Sequence, residues 1–316
     1  MVKTLVTGGT GFVGASVVEK LVTERETVVV LTRNPDYVPR SRRVAGSYYV
    51  KGDVFDPKSL EYAMEGCDAV INAVQFENAP FENSRKGFTY ERVDGEGTQI
   101  QVEVAKKAGV KRFIYMSGAG TKEGRTEPWF KAKLCAEKAV RESGMQWTIF
   151  RPSWIYGPQD HSLNKFALFA RFLPFIPIIG TGNEKIQPVY VKDVATLIWQ
   201  ALNRLDTAGK IFEVGGPQEF TMREIVQTML RVSGKRRFIL AHPKPLMKFI
   251  ARLLQYLPSR PLTPEGVDFI TMEEKVDTKE LLQTFPISLT PLEVALKAFT
   301  GKQRKSQLAG EIIRAA

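Results

Sequence analysis

The first fourteen residues, Met1 to Gly14, restrict the fold more than any other stretch of the chain. Lys3 to Thr7 is a short, mostly apolar run of strand length. It is followed by Gly8, Gly9, Thr10, Gly11 and, after Phe12 and Val13, Gly14. From Phe12 the pattern turns helical, with Phe12, Val13, Val17 and Leu21 along one side. Strand, glycine turn and helix in this order are the context in which such glycines mean dinucleotide binding. Gly8 lets the chain turn tightly, Gly11 lets the backbone approach a pyrophosphate, and Gly14 lets the helix pack on the strand. The free N–H groups and the dipole at the helix start then face the phosphates. Gly8, Thr10, Gly11, Phe12, Val13 and Gly14 are therefore candidate cofactor-binding residues. An ordinary strand-to-helix turn does not need three glycines at this spacing.

The rest of the N-terminal half continues the alternation. Strands are expected at Thr27 to Thr32, Ser47 to Lys51, Asp68 to Ala73, Lys111 to Ser117 and Gln146 to Arg151. Helices are expected at about Pro57 to Glu65, Gly95 to Ala108 and Pro128 to Ser143. Near-continuous apolar strands alternating with helices describe a parallel sheet covered on both faces. Right-handed crossovers put the loops after the strands along one edge, where a ligand binds. The expected class is α/β: a doubly wound, Rossmann-type parallel sheet over residues 1–155, with the chain returning to it at about 185–215. After residue 152 prolines punctuate short segments, which suggests a small, mostly helical C-terminal substrate domain over 156–300. Residues 301–316 read as a basic tail.

At 316 residues and 43% hydrophobic, the chain can bury a large core. No apolar run reaches ~18 residues, so no spanning helix is expected. The first strand starts at once, so no signal peptide is expected either. Cys67 and Cys135 are isolated, and His161 and His242 are the only histidines. This argues against a metal site and for the cytoplasm or another reducing compartment. The net charge of +11 suits nucleic acid, an anionic membrane or a larger protein assembly. No nucleic-acid-binding motif is present, so a nucleic-acid partner is not expected.

With Thr7 in front, the spacing TGGTGFVG resembles the fingerprint of the extended and atypical short-chain dehydrogenase/reductase families, which include NAD-dependent epimerases and dehydratases. Further stretches carry the resemblance: Val93 to Thr98, Arg151 to Pro158 (RPSWIYGP), Gln187 to Ala195 (QPVYVKDVA) and Phe212 to Thr221. Within the superfamily the sequence is most similar to the atypical group containing the 39-kDa-type accessory subunit of respiratory complex I. The resemblance implies a nicotinamide dinucleotide as the small-molecule partner. An acidic residue near the end of the second strand would take the ribose hydroxyls of NAD. Arg33 stands there instead and suits a 2′-phosphate, with Arg40, Arg42 and Arg43 in the next loop. NADP(H) is thus favoured over NAD(H), unless Arg33 is simply solvated. In these families the Asp after the third strand receives the adenine amino group and its neighbour packs on the ring, which points to Asp53 and Val54. A plain turn role for Asp53 fits its spacing equally well. Ala73 and Val74 stand where the families have a small residue beside the cofactor, and Pro152 where a proline turn packs on the nicotinamide.

The catalytic pattern departs from the families. They use a Ser or Thr after the fifth strand and Tyr-x-x-x-Lys on the next helix. Lys133 fits the lysine, which lowers the tyrosine pKa and binds the nicotinamide ribose. The tyrosine position is then Trp129, which transfers no proton. The hydroxyl position falls at Gly118, with Ser117 one residue early. Ser117, Tyr156 and Tyr115 are substitute candidates for acid–base work. Two functions follow: a cofactor-holding subunit or redox sensor without turnover, or an oxidoreductase or epimerase acting through a nonstandard acid. Two apolar stretches, Lys165 to Ile179 and Pro245 to Leu257, suit either a lid over a substrate cleft or contact with a membrane or partner.

Overall fold

The computed structural model describes residues 1–38, 42–257, 262–273 and 275–298. Arg40 and the basic tail at 301–316 lie outside the described residues. Seven parallel strands form the main sheet. Six of them are β1 (Lys3–Thr7), β2 (Thr27–Thr32), β3 (Tyr48–Lys51), β4 (Ala69–Asn72), β5 (Arg112–Met116) and β6 (Gln146–Pro152). The seventh, Lys210–Val214, pairs with β6. From one edge the order is Lys210–Val214, β6, β5, β4, β1, β2, β3. β1 therefore sits between β2 and β4, with Leu5 opposite Val29 on one side and Val70 on the other.

Most of the crossovers between these parallel strands carry a helix across one face of the sheet; among its described residues, the one from β2 to β3 carries the short 3-10 turn Pro35–Tyr37 in place of an α-helix. Helix α1 (Phe12–Thr23) joins β1 to β2, and Val17, Val18 and Leu21 on it are buried. It packs against the helix Val191–Leu202, whose Val194, Leu197 and Ile198 are buried. The other face is covered by α2 (Pro57–Met64), α3 (Gly97–Lys107) and α4 (Pro128–Arg141). Leu60, Met64, Val102, Ala105, Ala136 and Val140 from these helices form one core with Leu5, Leu31, Val70, Phe113 and Ile149 from the strands. Each fully buried aliphatic side chain in such a core contributes about 1.5–3 kcal/mol. Helix α3 starts two residues later than its sequence pattern predicts, because a wider π turn, Glu91–Glu96, occupies the preceding stretch.

Two compact units can be separated. The first comprises Met1–Ser153, Val191–Val214 and Val276–Ile287. Its last segment, assigned by the sequence reading to the C-terminal region, supplies Phe285, which packs against Phe150 and Phe212 with ring centres 5.9 and 5.0 Å away. The second unit comprises Trp154–Tyr190, Gly215–Lys275 and the chain from Ser288. It contains the helices His161–Phe172, Met222–Ser233, Lys244–Leu254 and Pro264–Ile270. It is less purely helical than its composition suggests. The apolar stretch from Lys165 divides at Leu173 and Pro174, and Phe175–Ile179 becomes a strand pairing in parallel with Phe238–His242. No helix among the described residues is long and apolar enough to cross a membrane.

Candidate functional site

The carboxyl ends of β1 and β4 are neighbours whose connections leave in opposite directions, the position at which doubly wound sheets bind ligands. The glycine turn lies there. Gly8 has φ +74°, and its carbonyl accepts a hydrogen bond from Gly11 N–H at 2.9 Å. A Cβ on Gly8 would lie 2.4 Å from the Ala73 carbonyl oxygen, so the turn after β1 rests directly on the one after β4. A Cβ on Gly14 would lie 2.1 Å from the Gly8 oxygen. Gly14 is thus required by the turn itself, more than by the strand below. At Gly11 the nearest atom to such a Cβ is the Gly8 oxygen at 3.1 Å, and nothing else lies within 4 Å. Gly9, given no role by the sequence reading, has the Val30 side chain 2.8 Å from its would-be Cβ, so it closes the turn onto β2.

Helix α1 begins immediately after this turn. Gly11 is its N-cap, no side chain caps it, and no acidic residue lies in its first turn. The first N–H groups, with Phe12 and Val13 half-buried beside them, are therefore available to an anion. Arg42 reaches the turn and donates from Nη1 to the Thr10 carbonyl at 3.4 Å. Arg43 is stacked over the Tyr49 ring at 5.1 Å. Arg33 is exposed at the end of β2. Asp53 accepts from Phe55 N–H at 3.0 Å, and its own N–H donates to Ser59 Oγ at 3.0 Å, so it forms a turn after β3 with Val54 half-buried beside it.

Beneath the turn lies a buried polar network that the sequence reading missed. Thr7 Oγ1 donates to Gln101 Oε1 at 2.6 Å, and Gln101 Nε2 donates to the Gly97 carbonyl at 2.9 Å. Asn72 Nδ2 donates to Thr98 Oγ1 at 3.0 Å, while Asn72 Oδ1 accepts from Val74 N–H at 3.0 Å. These bonds fix the loop carrying Ala73 and Val74. The signal was an Asn closing an otherwise apolar strand.

Helix α4 presents Trp129, Lys133 and Glu137 on its buried side, one turn apart. Lys133 Nζ lies 2.6 Å from Asp94 Oδ1 and donates to the Met116 carbonyl at 3.0 Å. Burial pulls the Lys133 pKa down, but Asp94 and Tyr115 beside it together more than offset this and hold it above the usual lysine value. Asp94 is on the π turn, so that irregularity delivers the carboxylate to the ammonium. Trp129 is buried between the rings of Tyr90 and Phe130, with centres 6.3 and 5.7 Å away. Ser117 donates its hydroxyl to Glu137 Oε1 at 2.6 Å. Glu137 in turn accepts two bonds from Arg151, at 2.8 and 2.6 Å. A Cβ at Gly118 would meet nothing within 4 Å. Tyr115 is fully buried, with Lys133 5.2 Å from its ring centre, and burial pushes its phenol well above the ordinary tyrosine value. Pro152 ends β6, and its carbonyl accepts from Ala119 N–H at 2.9 Å. Tyr156 belongs to the second unit, where it is fully buried with its ring 5.7 Å from that of Tyr190.

A family model described as NAD(P)H-binding matches residues 8–204. The chain belongs to the NAD(P)H-binding family. It is an atypical short-chain dehydrogenase/reductase close to the group of mitochondrial NADH dehydrogenase [ubiquinone] 1 alpha subcomplex subunit 9. It is 32% identical to that subunit from Arabidopsis thaliana over 77% of this chain and 61% of the relative. It is 30% identical to the Rattus norvegicus subunit over 91% of this chain and 76% of the relative. The chain thus spans less than two thirds of the length of the Arabidopsis relative. Its fold also matches the crystal structure of UDP-glucose 4-epimerase from Thermotoga maritima, with a TM-score of 0.74, 19% identity, and coverage of 96% of this chain and 99% of that one.

For this NAD(P)H-binding protein the cofactor class is a nicotinamide dinucleotide. The residues fit such a group on physical grounds. The turn is kept free of side chains at Gly8, Gly11 and Gly14, and the helix start has neither a capping side chain nor an acid.

Proposed function

We propose that this chain holds NADP(H) as a cofactor-binding subunit or redox sensor and does not turn over a substrate in the manner of its enzymatic relatives. The pyrophosphate takes the N–H groups of the turn Gly8 to Gly14. Arg33 and Arg42 take the 2′-phosphate, which a carboxylate at that position would repel. Ala73, Val74 and Pro152 bound the remainder of the cofactor, and Asp53 with Val54 flanks the adenine. When bound, the group would supply a hydride donor or acceptor.

One observation supports the loss of turnover above the others: the Lys133 ammonium is already neutralised by Asp94 at 2.6 Å. A lysine so paired exerts little field on a neighbouring acid, and the residue one turn earlier is Trp129, whose indole N–H does not titrate and so cannot serve as the acid. Ser117 is engaged with Glu137. The relatives' printed names place them in mitochondrial NADH dehydrogenase, and we extend to this chain a role in a larger protein assembly in a reducing compartment.

Calorimetry with NADPH and NADH, on the wild type and Arg33→Ala, tests the cofactor reading. NADPH should bind at least tenfold more tightly than NADH, and Arg33→Ala should remove most of that difference. Mixing the NADPH complex with a panel of carbonyls, quinones and nucleotide sugars, followed at the reduced-nicotinamide absorbance, tests the rest. Steady oxidation with any of them would refute the sensor reading.

A further inference from the structure

The helix Lys244–Leu254 carries its apolar stripe outward. Leu246, Phe249 and Leu253 are 48, 59 and 62% exposed, and Tyr256 and Leu257 extend the line at 81 and 47%. Single exposed leucines are ordinary, but three large apolar residues along one helical line, followed at once by two more in the turn after it, are not. The inward side is anchored: Ala251 is fully buried, and Lys244 and Lys248 pair with Asp268 of the next helix at 2.9 and 2.8 Å. The stripe is therefore held facing away from Asp268 by the helix's own ion pairs.

The stretch of chain that carries the helix is basic, and the acid beside it, Asp268, is taken up by Lys244 and Lys248 on the inward side. Between Glu224 and Glu265 the chain has no acidic residue and eight basic ones. Arg252 borders the stripe and is exposed. Lys235, Arg236 and Arg237 precede the strand Phe238–His242 that leads into the helix, and Phe238 is 82% exposed. Burial and the neighbouring charges of Arg237 and Arg171 hold the Lys235 pKa below the usual lysine value. A second copy of the chain docking face to face would set these cations against each other. An acidic, fluid, apolar-centred surface satisfies both the stripe and its charges.

We propose that the helix Lys244–Leu254 lies in the interface of an anionic lipid bilayer, with Leu246, Phe249 and Leu253 among the acyl chains and the basic residues at the headgroups. An apolar face rimmed by cations is the signature of in-plane interfacial helices. The site is in the second unit and does not depend on the cofactor reading.

The test is sedimentation of the full chain with vesicles of phosphatidylcholine alone and of an equal mixture with phosphatidylglycerol. The chain should pellet with the anionic vesicles only, and less as salt rises. Phe249→Asp and Leu253→Asp, both at exposed positions, should each weaken binding at least tenfold, and Arg252→Ala about fivefold. Leu205→Asp, at an exposed leucine of the first unit, should leave it unchanged. Circular dichroism and the thermal unfolding midpoint, measured in parallel, should be the same in all four variants and report that they are folded. Failure to bind anionic vesicles, or binding indifferent to Phe249→Asp and Leu253→Asp, would overturn the proposal. So would a vesicle-free dimer that Phe249→Asp dissociates.

Discussion

The ammonium of Lys133 lies 2.6 Å from a carboxylate oxygen of Asp94, with the two side chains 11 and 0% exposed. The pair joins the π turn before α3 to the centre of α4. Removing one partner from such a pair strands a buried charge, whereas replacing both with apolar groups of similar size is far milder. Asp94→Ala should cost about 3–5 kcal/mol, and Asp94→Leu with Lys133→Met should cost much less than the sum of the two single changes. Urea unfolding of the four proteins in this cycle measures the coupling.

The glycines should separate folding from cofactor binding. Gly14→Ala sets a methyl 2.1 Å from the Gly8 carbonyl oxygen, a backbone atom that cannot step aside. It should destabilise the free protein by at least about 2 kcal/mol, as overpacking does. Gly11→Ala meets only a 3.1 Å approach in the free chain. Its cost to unfolding should stay below about 1 kcal/mol, while NADPH affinity falls at least tenfold because the methyl occupies the phosphate side. Thermal unfolding and calorimetry on the two variants decide it.

The Ser117, Glu137 and Arg151 network predicts a stability effect without chemistry. Ser117→Ala leaves one Glu137 oxygen short of a donor and should cost about 1–2 kcal/mol. Glu137→Ala leaves Arg151 unpaired and should cost about 3–5 kcal/mol, with Glu137→Gln between them. If Ser117→Ala instead abolished an otherwise measurable oxidation of NADPH, its hydroxyl would be catalytic.

Much of the first unit was legible. The pattern of short apolar runs located β1 and β2 to the residue and β3 to β6 within one residue at every end; in the central strands, burial on both faces leaves no polar alternation to misread. Trp129 and Lys133, expected on the helix after the fifth strand, are both buried residues of α4. The partners were not legible. Asp94 meets Lys133 only because a π turn intervenes, and hydrophobic periodicity carries no signal for an extra residue in a turn. The pairing of Phe175–Ile179 with Phe238–His242 spans about sixty residues of sequence, and neither strand alternates cleanly. Asp53 does form the turn that its spacing allowed, with one carboxylate oxygen accepting a local N–H.

Asp160 supplies a pH-dependent prediction. It caps the helix His161–Phe172, accepting from Ser162 N–H at 2.9 Å and Leu163 N–H at 3.0 Å. Burial, only partly offset by these bonds, pushes its pKa up from 3.8 to about 6. The folded state therefore binds this proton more tightly than the unfolded state does. Its contribution favours folding most below the unfolded value and is lost as pH rises through about 6. Asp160→Asn keeps an acceptor at the cap and removes the charge. It should stabilise the protein by about 1–3 kcal/mol near pH 8 and by almost nothing near pH 4, as read from urea midpoints at the two pH values.

The seventh strand and Phe285 set a limit on how this protein can be taken apart. The sheet that bears the glycine turn is finished by Lys210–Val214, and the ring cluster of Phe150, Phe212 and Phe285 closes over its last two strands. A fragment ending at Ser153 would contain every residue proposed to touch the cofactor, yet it would leave β6 unpaired along one side and strip two rings from Phe150. The binding turn and the strand that completes its sheet are thus separated by the second-unit segment Trp154–Tyr190, and no contiguous piece of chain carries the finished sheet without it.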